Sequence, residues 1–173
     1  MSEPVDSRLA GRHVVVTGGA RGIGAGIARR CARSGADVTI FDLRTSDAEE
    51  TAADVREIGG EASVQEVDVT DGGAVEDAVA AAESELGLID GLVNNAGIQQ
   101  SISILETTEA EWDRHFDVNT KGTFLVSKHV AERMIETETS GSILNVASVG
   151  AERPFRGQGA YGASKAAVVT FTT

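Results

Sequence analysis

The chain has 173 residues, and 15 lysines and arginines against 27 aspartates and glutamates give it a formal net charge of −12. Apolar residues make up 41% of it, enough to build the core of one domain and too many for a disordered or low-complexity chain. The acidity argues against nucleic acid or an anionic membrane as a partner. No apolar run approaches the ~18 residues of a membrane span, and Cys31 has no second cysteine to pair with. We therefore expect a single cytoplasmic domain over residues 1–173.

Short β-branched segments alternate along the chain with longer segments of helical periodicity. The predicted strands are His13–Thr17, Asp37–Asp42, Ala62–Val69, Leu88–Asn94 and Ser142–Ala147. The predicted helices are Gly22–Ser34, Ser46–Ile58, Asp71–Leu86, Thr108–Glu136 and one that begins near Gln158. This order is typical of βαβ units, in which a parallel sheet is covered by helices on both faces. The sequence therefore predicts an α/β doubly wound (Rossmann) fold with five strands.

A glycine-rich loop joins the first predicted strand to the first helix, in the order Thr17-Gly18-Gly19-Ala20-Arg21-Gly22-Ile23-Gly24. Gly18 suits the tight turn, Gly22 allows the backbone to approach a diphosphate, and Gly24 allows close packing of helix and strand. From Gly18 to Gly24 the span is one residue longer than in the common G-x-G-x-x-G pattern. Arg21 and Ile23 lie in the same loop and are further candidates for cofactor contacts.

An aspartate follows the second predicted strand, where a ribose-binding carboxylate is expected. Asp42 lies 18 residues after Gly24 and could accept hydrogen bonds from ribose hydroxyls while repelling a 2′-phosphate. Arg21 and Arg44 favour the opposite choice, because an arginine can pair with that phosphate. A solvated turn residue is the plain alternative for Asp42. The residues favour a dinucleotide site that prefers NAD to NADP.

Six short motifs occur in order along the chain. They are Thr17–Gly24, Asp68-Val69, Asn94-Asn95-Ala96-Gly97, Asn119, Ser148 and Tyr161-Gly162-Ala163-Ser164-Lys165. With them the sequence resembles the short-chain dehydrogenase/reductase family from about Leu9 onwards. The resemblance implies further cofactor contacts, by Asp68 and Val69 beside the adenine and by Asn95, Ala96 and Gly97 along the adenosine ribose. It also implies that Asn119 holds a proton-relay water and that Lys165 binds the nicotinamide ribose.

The candidate catalytic residues are also chemically reasonable without the family. Tyr161 and Lys165 are four residues apart and share one face of a helix. A nearby ammonium favours the phenolate, which brings a tyrosine into the range of general acid–base catalysis. Ser148 follows the fifth predicted strand and could hydrogen-bond a substrate oxygen as charge develops on it. The resulting hypothesis is an NAD(P)-dependent oxidoreductase that acts on a small secondary alcohol or ketone through Ser148, Tyr161 and Lys165. The resemblance adds Asn119 to this catalytic set.

Other interpretations stay open at this stage. His13, His115, His129 and Cys31 share no metal-ligand spacing, so we expect no metal site. A dinucleotide sensor or scaffold without turnover is a rival from another functional class. The surplus of carboxylates is explained equally well by genome composition and by adaptation to high salt.

We expect the oligomeric state to depend on whether the chain contains all the strands of the fold. A two-half dinucleotide fold has six strands, whereas five are predicted here, so we expect the chain to be incomplete at its carboxyl end, prone to aggregate and weakly active. A minimal enzyme whose partner subunit completes the sheet is the alternative. The family resemblance implies a homo-oligomer for a full-length form, with a dihedral tetramer favoured. The apolar residues expected at its interfaces are Trp112, Phe116, Phe124, Val168 and Val169.

Overall fold

A computed structural model describes residues 7–153 and 155–172 and contains one parallel five-stranded sheet. The strands are β1 (His13–Thr17), β2 (Asp37–Asp42), β3 (Ala62–Glu66), β4 (Gly91–Asn94) and β5 (Ser142–Asn145). Their order in the sheet is β3-β2-β1-β4-β5, so the direction of winding reverses between β1 and β4. The predicted doubly wound α/β fold is confirmed. In such sheets, ligands bind at the carboxyl ends of the strands beside this reversal.

Helices connect the strands and cover the sheet. They are α1 (Gly22–Arg33), α2 (Thr45–Ile58), α3 (Gly72–Leu86), α4 (Glu109–Phe116), α5 (Gly122–Glu136) and α6 (Gly159–Phe171). Side chains cap two of them: Asp71 accepts hydrogen bonds from the first turn of α3, and Thr108 and Glu111 form a capping box on α4. Within the described ranges, no helix is both long enough and apolar enough to cross a bilayer.

Several predicted boundaries were wrong. The segment Thr108–Glu136, predicted as one helix, is divided into α4 and α5 by the π-helical turn Asp117–Lys121. The sequence does not reveal this turn, because one inserted residue leaves the apolar pattern nearly unchanged. Strands β3 and β5 end earlier, and β4 begins later, than the apolar runs predict. Val67 shows why: it is buried and its N–H donates to the Asp42 carbonyl, yet the ladder of β3 ends before it. Burial alone does not make a strand.

Two apolar clusters hold the layers together. On one face, Val14, Val16 and Ile40 pack against α1 and α2, whose contacting residues are mostly alanine. On the other face, Val15 and Leu92 pack against α3 and α5. Complete burial of such a side chain stabilises the fold by about 1.5–3 kcal/mol, and small helix residues allow the close approach. The sheet is thereby fixed as the platform for whatever lies at its carboxyl edge.

Candidate functional site

A cleft of about 540 Å³ lies along the carboxyl ends of the strands. It brings together twelve of the predicted site residues, which are Gly18, Arg21, Gly22, Ile23, Asp42, Asp68, Val69, Asn95, Ala96, Gly97, Tyr161 and Lys165. Gly24, Asn119 and Ser148 do not line it and lie behind or beside its wall. Residues far apart in the chain thus meet at the position that the topology favours for a ligand.

The three glycines of the loop differ in what surrounds them. Gly18 has a φ of +64°, and a Cβ there would lie 2.9 Å from the Ala96 Cα. A Cβ on Gly24 would lie 2.1 Å from the Gly18 carbonyl oxygen, so helix α1 can approach the loop only without a side chain here. Gly22, with a φ of +58°, has no atom within 4 Å of its Cβ position. The loop is therefore tightly packed behind Gly18 and Gly24 and open at Gly22.

The beginning of α1 faces this open side. Arg21 occupies the N-cap position without a side-chain hydrogen bond to the first turn. The first amide groups of the helix have no partner inside a helix, and their dipoles favour an anion. Together with the space at Gly22, this arrangement fits the diphosphate of a dinucleotide.

A threonine and an asparagine clasp the loop to the end of β4. The Thr17 hydroxyl accepts hydrogen bonds from the N–H groups of Asn95 and Ala96, both at 3.0 Å. The Asn95 side chain donates to the carbonyl oxygens of Thr17 and Gly18, also at 3.0 Å. The Asn95 side chain thus holds the glycine loop against the end of β4. Sequence reasoning assigned no role to Thr17; a hydroxyl immediately before the glycine loop was the available signal.

The Asp42 carboxylate is fixed at the end of β2. One oxygen accepts the N–H of Ala20 at 3.0 Å and the other accepts the N–H of Arg44 at 3.1 Å. These bonds join the carboxylate to the glycine loop on one side and to the start of α2 on the other. Because a carboxylate has about four acceptor positions, it retains capacity for hydroxyl donors from the cleft.

The Lys165 ammonium is buried and anchored. Its Nζ donates to the Val146 carbonyl at 2.7 Å, and 5% of the residue is exposed. Burial lowers the pKa of this lysine from its ordinary value. Tyr161 lies one helical turn earlier and also lines the cleft. A phenol and a partly desolvated ammonium therefore share one wall.

Ser148 adjoins this wall at the N-cap of a short 3₁₀ turn, Val149–Ala151, where its Oγ accepts the N–H of Gly150 at 3.0 Å. A Cβ on Gly150 would lie 3.3 Å from Ser148 Oγ and 3.5 Å from Tyr161 Cε1. Ser148 Oγ and one edge of the Tyr161 ring therefore lie beside the same glycine, which places the serine next to the tyrosine wall of the cleft.

Asn119 lies behind the wall, in the π-helical turn, and is completely buried. Its Oδ1 accepts the N–H of Ile98 at 2.8 Å, and its Nδ2 donates to the Ile98 carbonyl at 3.0 Å and to Ser164 Oγ at 2.9 Å. A Cβ on Gly97 would lie 3.1 Å from Asn119 Oδ1 and 3.4 Å from Lys165 Nζ. Both side-chain amide hydrogens are used, so the side chain fixes the positions of the β4 loop and α6.

Comparison with known proteins supports the same family along nearly the whole chain. The family model described as short chain dehydrogenase matches residues 12–173. Sorbitol dehydrogenase of Cereibacter sphaeroides is 40% identical over 165 residues, 95% of this chain and 63% of that protein. The 3-oxoacyl-acyl-carrier-protein reductase of Chlamydia pneumoniae is 38% identical over 168 residues, 97% of this chain and 67% of that protein. The chain spans about two thirds of the length of these relatives.

Solved structures agree in fold. A short chain dehydrogenase from Mycobacterium smegmatis superposes with a TM-score of 0.93 at 32% identity, covering 99% of this chain and 73% of that one. Carveol dehydrogenase from Mycobacterium avium, solved in complex with NAD, gives 0.91 at 28% identity, with 95% and 64% covered. The sheet order, the cleft and these matches lead to one conclusion: the chain belongs to the short-chain dehydrogenase/reductase family of NAD(P)-dependent oxidoreductases.

Proposed function

We propose that this protein transfers a hydride between NAD and a secondary alcohol or ketone. The observation that carries the proposal is that one continuous cleft joins the glycine loop to Tyr161 and Lys165. Relatives named for polyol oxidation, such as sorbitol dehydrogenase and galactitol 2-dehydrogenase, are consistent with it. When bound, the nicotinamide ring supplies the hydride acceptor or donor, and the remaining chemistry belongs to side chains of this chain.

The proposed roles follow from position. Tyr161 takes the hydroxyl proton during oxidation and returns it during reduction. Lys165 lies one turn away, and its positive charge favours the phenolate. Ser148 donates a hydrogen bond to the substrate oxygen as negative charge grows on it. Asn119 is a positioning residue in this scheme, because its amide connects Ile98 to Ser164 on α6 and so holds Lys165 against Gly97.

The preference for NAD is part of the proposal. Asp42 is held by two backbone amides at the edge of the cleft, where its charge repels a 2′-phosphate. Arg21 and Arg44 line the same cleft and counteract this repulsion. We weight Asp42 more heavily, because a fixed carboxylate requires no rearrangement to accept ribose hydroxyls.

Self-association is also proposed. Helices α4, α5 and α6 carry exposed apolar side chains, including Trp112, Phe124 and Val169. Trp112 stacks on Phe116 with ring centroids 5.1 Å apart, which gives α4 a rigid apolar surface. Val168 was expected among these residues, but this was wrong: it is 1% exposed and packs inside the protein. We propose that a homo-oligomer buries the other exposed apolar side chains, and that a full-length form is a dihedral tetramer.

A second candidate is a dinucleotide-binding module without turnover. The observation that favours it is the exposure of Leu144, 55% in β5, and of Phe171, 42% at the end of α6. Leu144 lies in the edge strand that precedes Ser148, and Phe171 lies at the end of the helix that carries Tyr161 and Lys165. We therefore propose that an active form covers them with further sheet or with a partner subunit. A screen of secondary alcohols with NAD, followed by the absorbance of the reduced cofactor, separates the two: turnover supports the oxidoreductase, and binding without turnover supports the module.

A further inference from the structure

Several arginines of this acidic chain are neutralised by carboxylates. Arg29 pairs with Asp54 at 2.7 Å, and Arg133 pairs with Glu83 at 2.7 Å. Arg21, Arg44 and Arg114 line the cleft without such a partner among the described residues, and Arg21 and Arg44 are already considered beside the ribose. Arg114 is exposed on α4, and its side chain makes no hydrogen bond or ion pair within the described residues. The dinucleotide scheme above gives it no role. Its place in the cleft of a protein of net charge −12 makes this guanidinium a candidate for contact with a bound ligand.

The position of Arg114 along the cleft follows from helix spacing. Arg114, Val118 and Gly122 are spaced four residues apart along α4, the π-helical turn Asp117–Lys121 and the start of α5. In the wider π-helical turn a spacing of four residues still brings side chains to nearly the same side. A Cβ on Gly122 would lie 2.7 Å from Val69 Cγ2, and Val118 lines the cleft one turn above it. On this spacing Arg114 lies one further turn along the same wall, where a long side chain can reach the space above Val69.

The sheet order identifies this end of the cleft. Tyr161 and Lys165 lie on the β4–β5 side, and the glycine loop follows the central strand β1. A dinucleotide with its diphosphate at the loop and its nicotinamide at Tyr161 must extend its other half over β2 and β3, toward Val69. Two strand spacings separate β1 from β3, roughly 10 Å, so a side chain above Val69 meets the base and not the diphosphate.

We propose that the Arg114 guanidinium packs flat on the purine base and closes the adenine end of the cleft, an inference that rests on the dinucleotide function proposed above. Val69 supplies an apolar floor for the base and Arg114 supplies the opposite face. A guanidinium suits this position because it is planar, weakly hydrated and attracted to aromatic faces, while its edges stay in water. Lysine has a compact, strongly hydrated charge and would not replace it.

Calorimetric titrations with ADP and with inorganic diphosphate test this assignment. The proteins are the unmodified chain, Arg114→Gln, Arg114→Lys and the control Arg33→Gln, which changes an exposed arginine of α1 that does not line the cleft. We expect Arg114→Gln to weaken ADP binding roughly 3- to 30-fold and to leave diphosphate binding unchanged. Arg114→Lys should recover little of the loss, and the loss should persist in high salt. Arg33→Gln should bind both ligands normally.

Three results would overturn the inference. The first is unchanged ADP binding in Arg114→Gln, and the second is an equal loss of ADP and diphosphate binding in that variant. The third is full recovery of ADP binding in Arg114→Lys, together with a loss in Arg114→Gln that disappears in high salt. The last two results would show that Arg114 acts only through its positive charge, by attracting the phosphates. A failure of the dinucleotide site looks different, because the unmodified chain would then bind neither ADP nor NAD, and the inference would be lost with it. NAD binding without turnover would overturn the proposed hydride transfer and leave the assignment of Arg114 standing.

Discussion

The two sides of the sheet are built differently. All five residues of β1 are buried, and β2 is buried except at its ends, so the strands under the glycine loop have a complete core. None of the four residues of β5 is fully buried, and the neighbouring α6 exposes Val169 and Phe171. The opposite edge strand, β3, buries only Ser63, but it ends in the exposed, charged Glu66. The side of the proposed nucleotide site is thus stabilised by its own contacts, whereas the side of the proposed catalytic residues presents apolar surface. We expect nucleotide binding to be the more robust property and turnover the more fragile one.

The largest expected effect separates these two properties. Tyr161→Phe removes the proton-transfer group and should lower turnover by about 10²- to 10⁴-fold, as is typical of general acid–base catalysis. NAD affinity should stay within about twofold, because the glycine loop is untouched. Stopped-flow absorbance of the reduced cofactor and a NAD titration of the same variant measure both. A variant that retained most of its turnover would show that Tyr161 is not the acid–base group.

A matched pair of glycine variants tests the nucleotide side. Gly24→Ala forces a Cβ to 2.1 Å from the Gly18 carbonyl oxygen and should cost about 3 kcal/mol of the free energy of unfolding together with nucleotide affinity. Gly26→Ala, two residues on in α1, meets no atom within 4 Å and should stabilise the helix by up to about 1 kcal/mol. Urea denaturation compares them. Equal stability of the two variants would contradict the close packing inferred at Gly24.

The sequence predicted the fold class and most residues of the cleft, but it did not predict features that depend on particular tertiary contacts. The β-branched run of β1 and the glycine spacing before α1 reflect local backbone preferences. The order of strands and helices along the chain, and the glycine loop, could therefore be predicted from the sequence. The π-helical turn could not, since Asn119 is fixed by Ile98 and by Ser164, which are distant in the chain. Arg114 was missed for the same reason: the cleft that it faces exists only after folding.

The choice between NAD and NADP should depend on the negative charge of Asp42. Asp42→Asn keeps the size of the side chain and one acceptor oxygen but removes the charge, so NADP should gain about tenfold relative to NAD. Asp47→Asn changes a carboxylate at the start of α2 that does not line the cleft, and serves as the control. Titration of both variants with both cofactors gives the ratio. No change in the ratio for Asp42→Asn would remove this residue from cofactor selection.

The amino ends of the strands carry a pH-sensitive contact far from the cleft. His13 Nδ1 donates to the Gly87 carbonyl at 2.8 Å, and Nε2 accepts from the Thr39 hydroxyl at 2.8 Å, so the neutral ring fits the site. Burial lowers the His13 pKa, and this outweighs the nearby carboxylates of Asp37, Asp90 and Glu83, which raise it. The unfolded chain therefore takes up a proton more readily than the folded one.

Stability should accordingly be complete above the ordinary histidine pKa of about 6.5 and decrease as the pH falls below it. Urea midpoints measured between pH 7.5 and about pH 5 check this sign. His13→Gln should reduce the slope in this range. A slope of the opposite sign, or one unchanged in His13→Gln, would assign the pH dependence to other groups.

The smallest expected effect concerns the catalytic side. Leu144→Lys adds a charge to the exposed part of β5 and should change the free energy of unfolding by less than about 0.5 kcal/mol. It should nevertheless reduce self-association, because a charge opposes pairing along an exposed edge strand. Light scattering at increasing concentration measures the effect. Unaltered association would show that copies of the chain meet through another surface.

The central claim is that the cleft is a dinucleotide site, and calorimetric titration of the 173-residue chain with NAD and then with NADP tests it most directly. We expect saturable binding of about one NAD per chain, with weaker binding of NADP because of the Asp42 carboxylate. Absence of saturable binding for both cofactors would contradict the assignment of the cleft, and binding of NADP as tight as that of NAD would contradict the role given to Asp42.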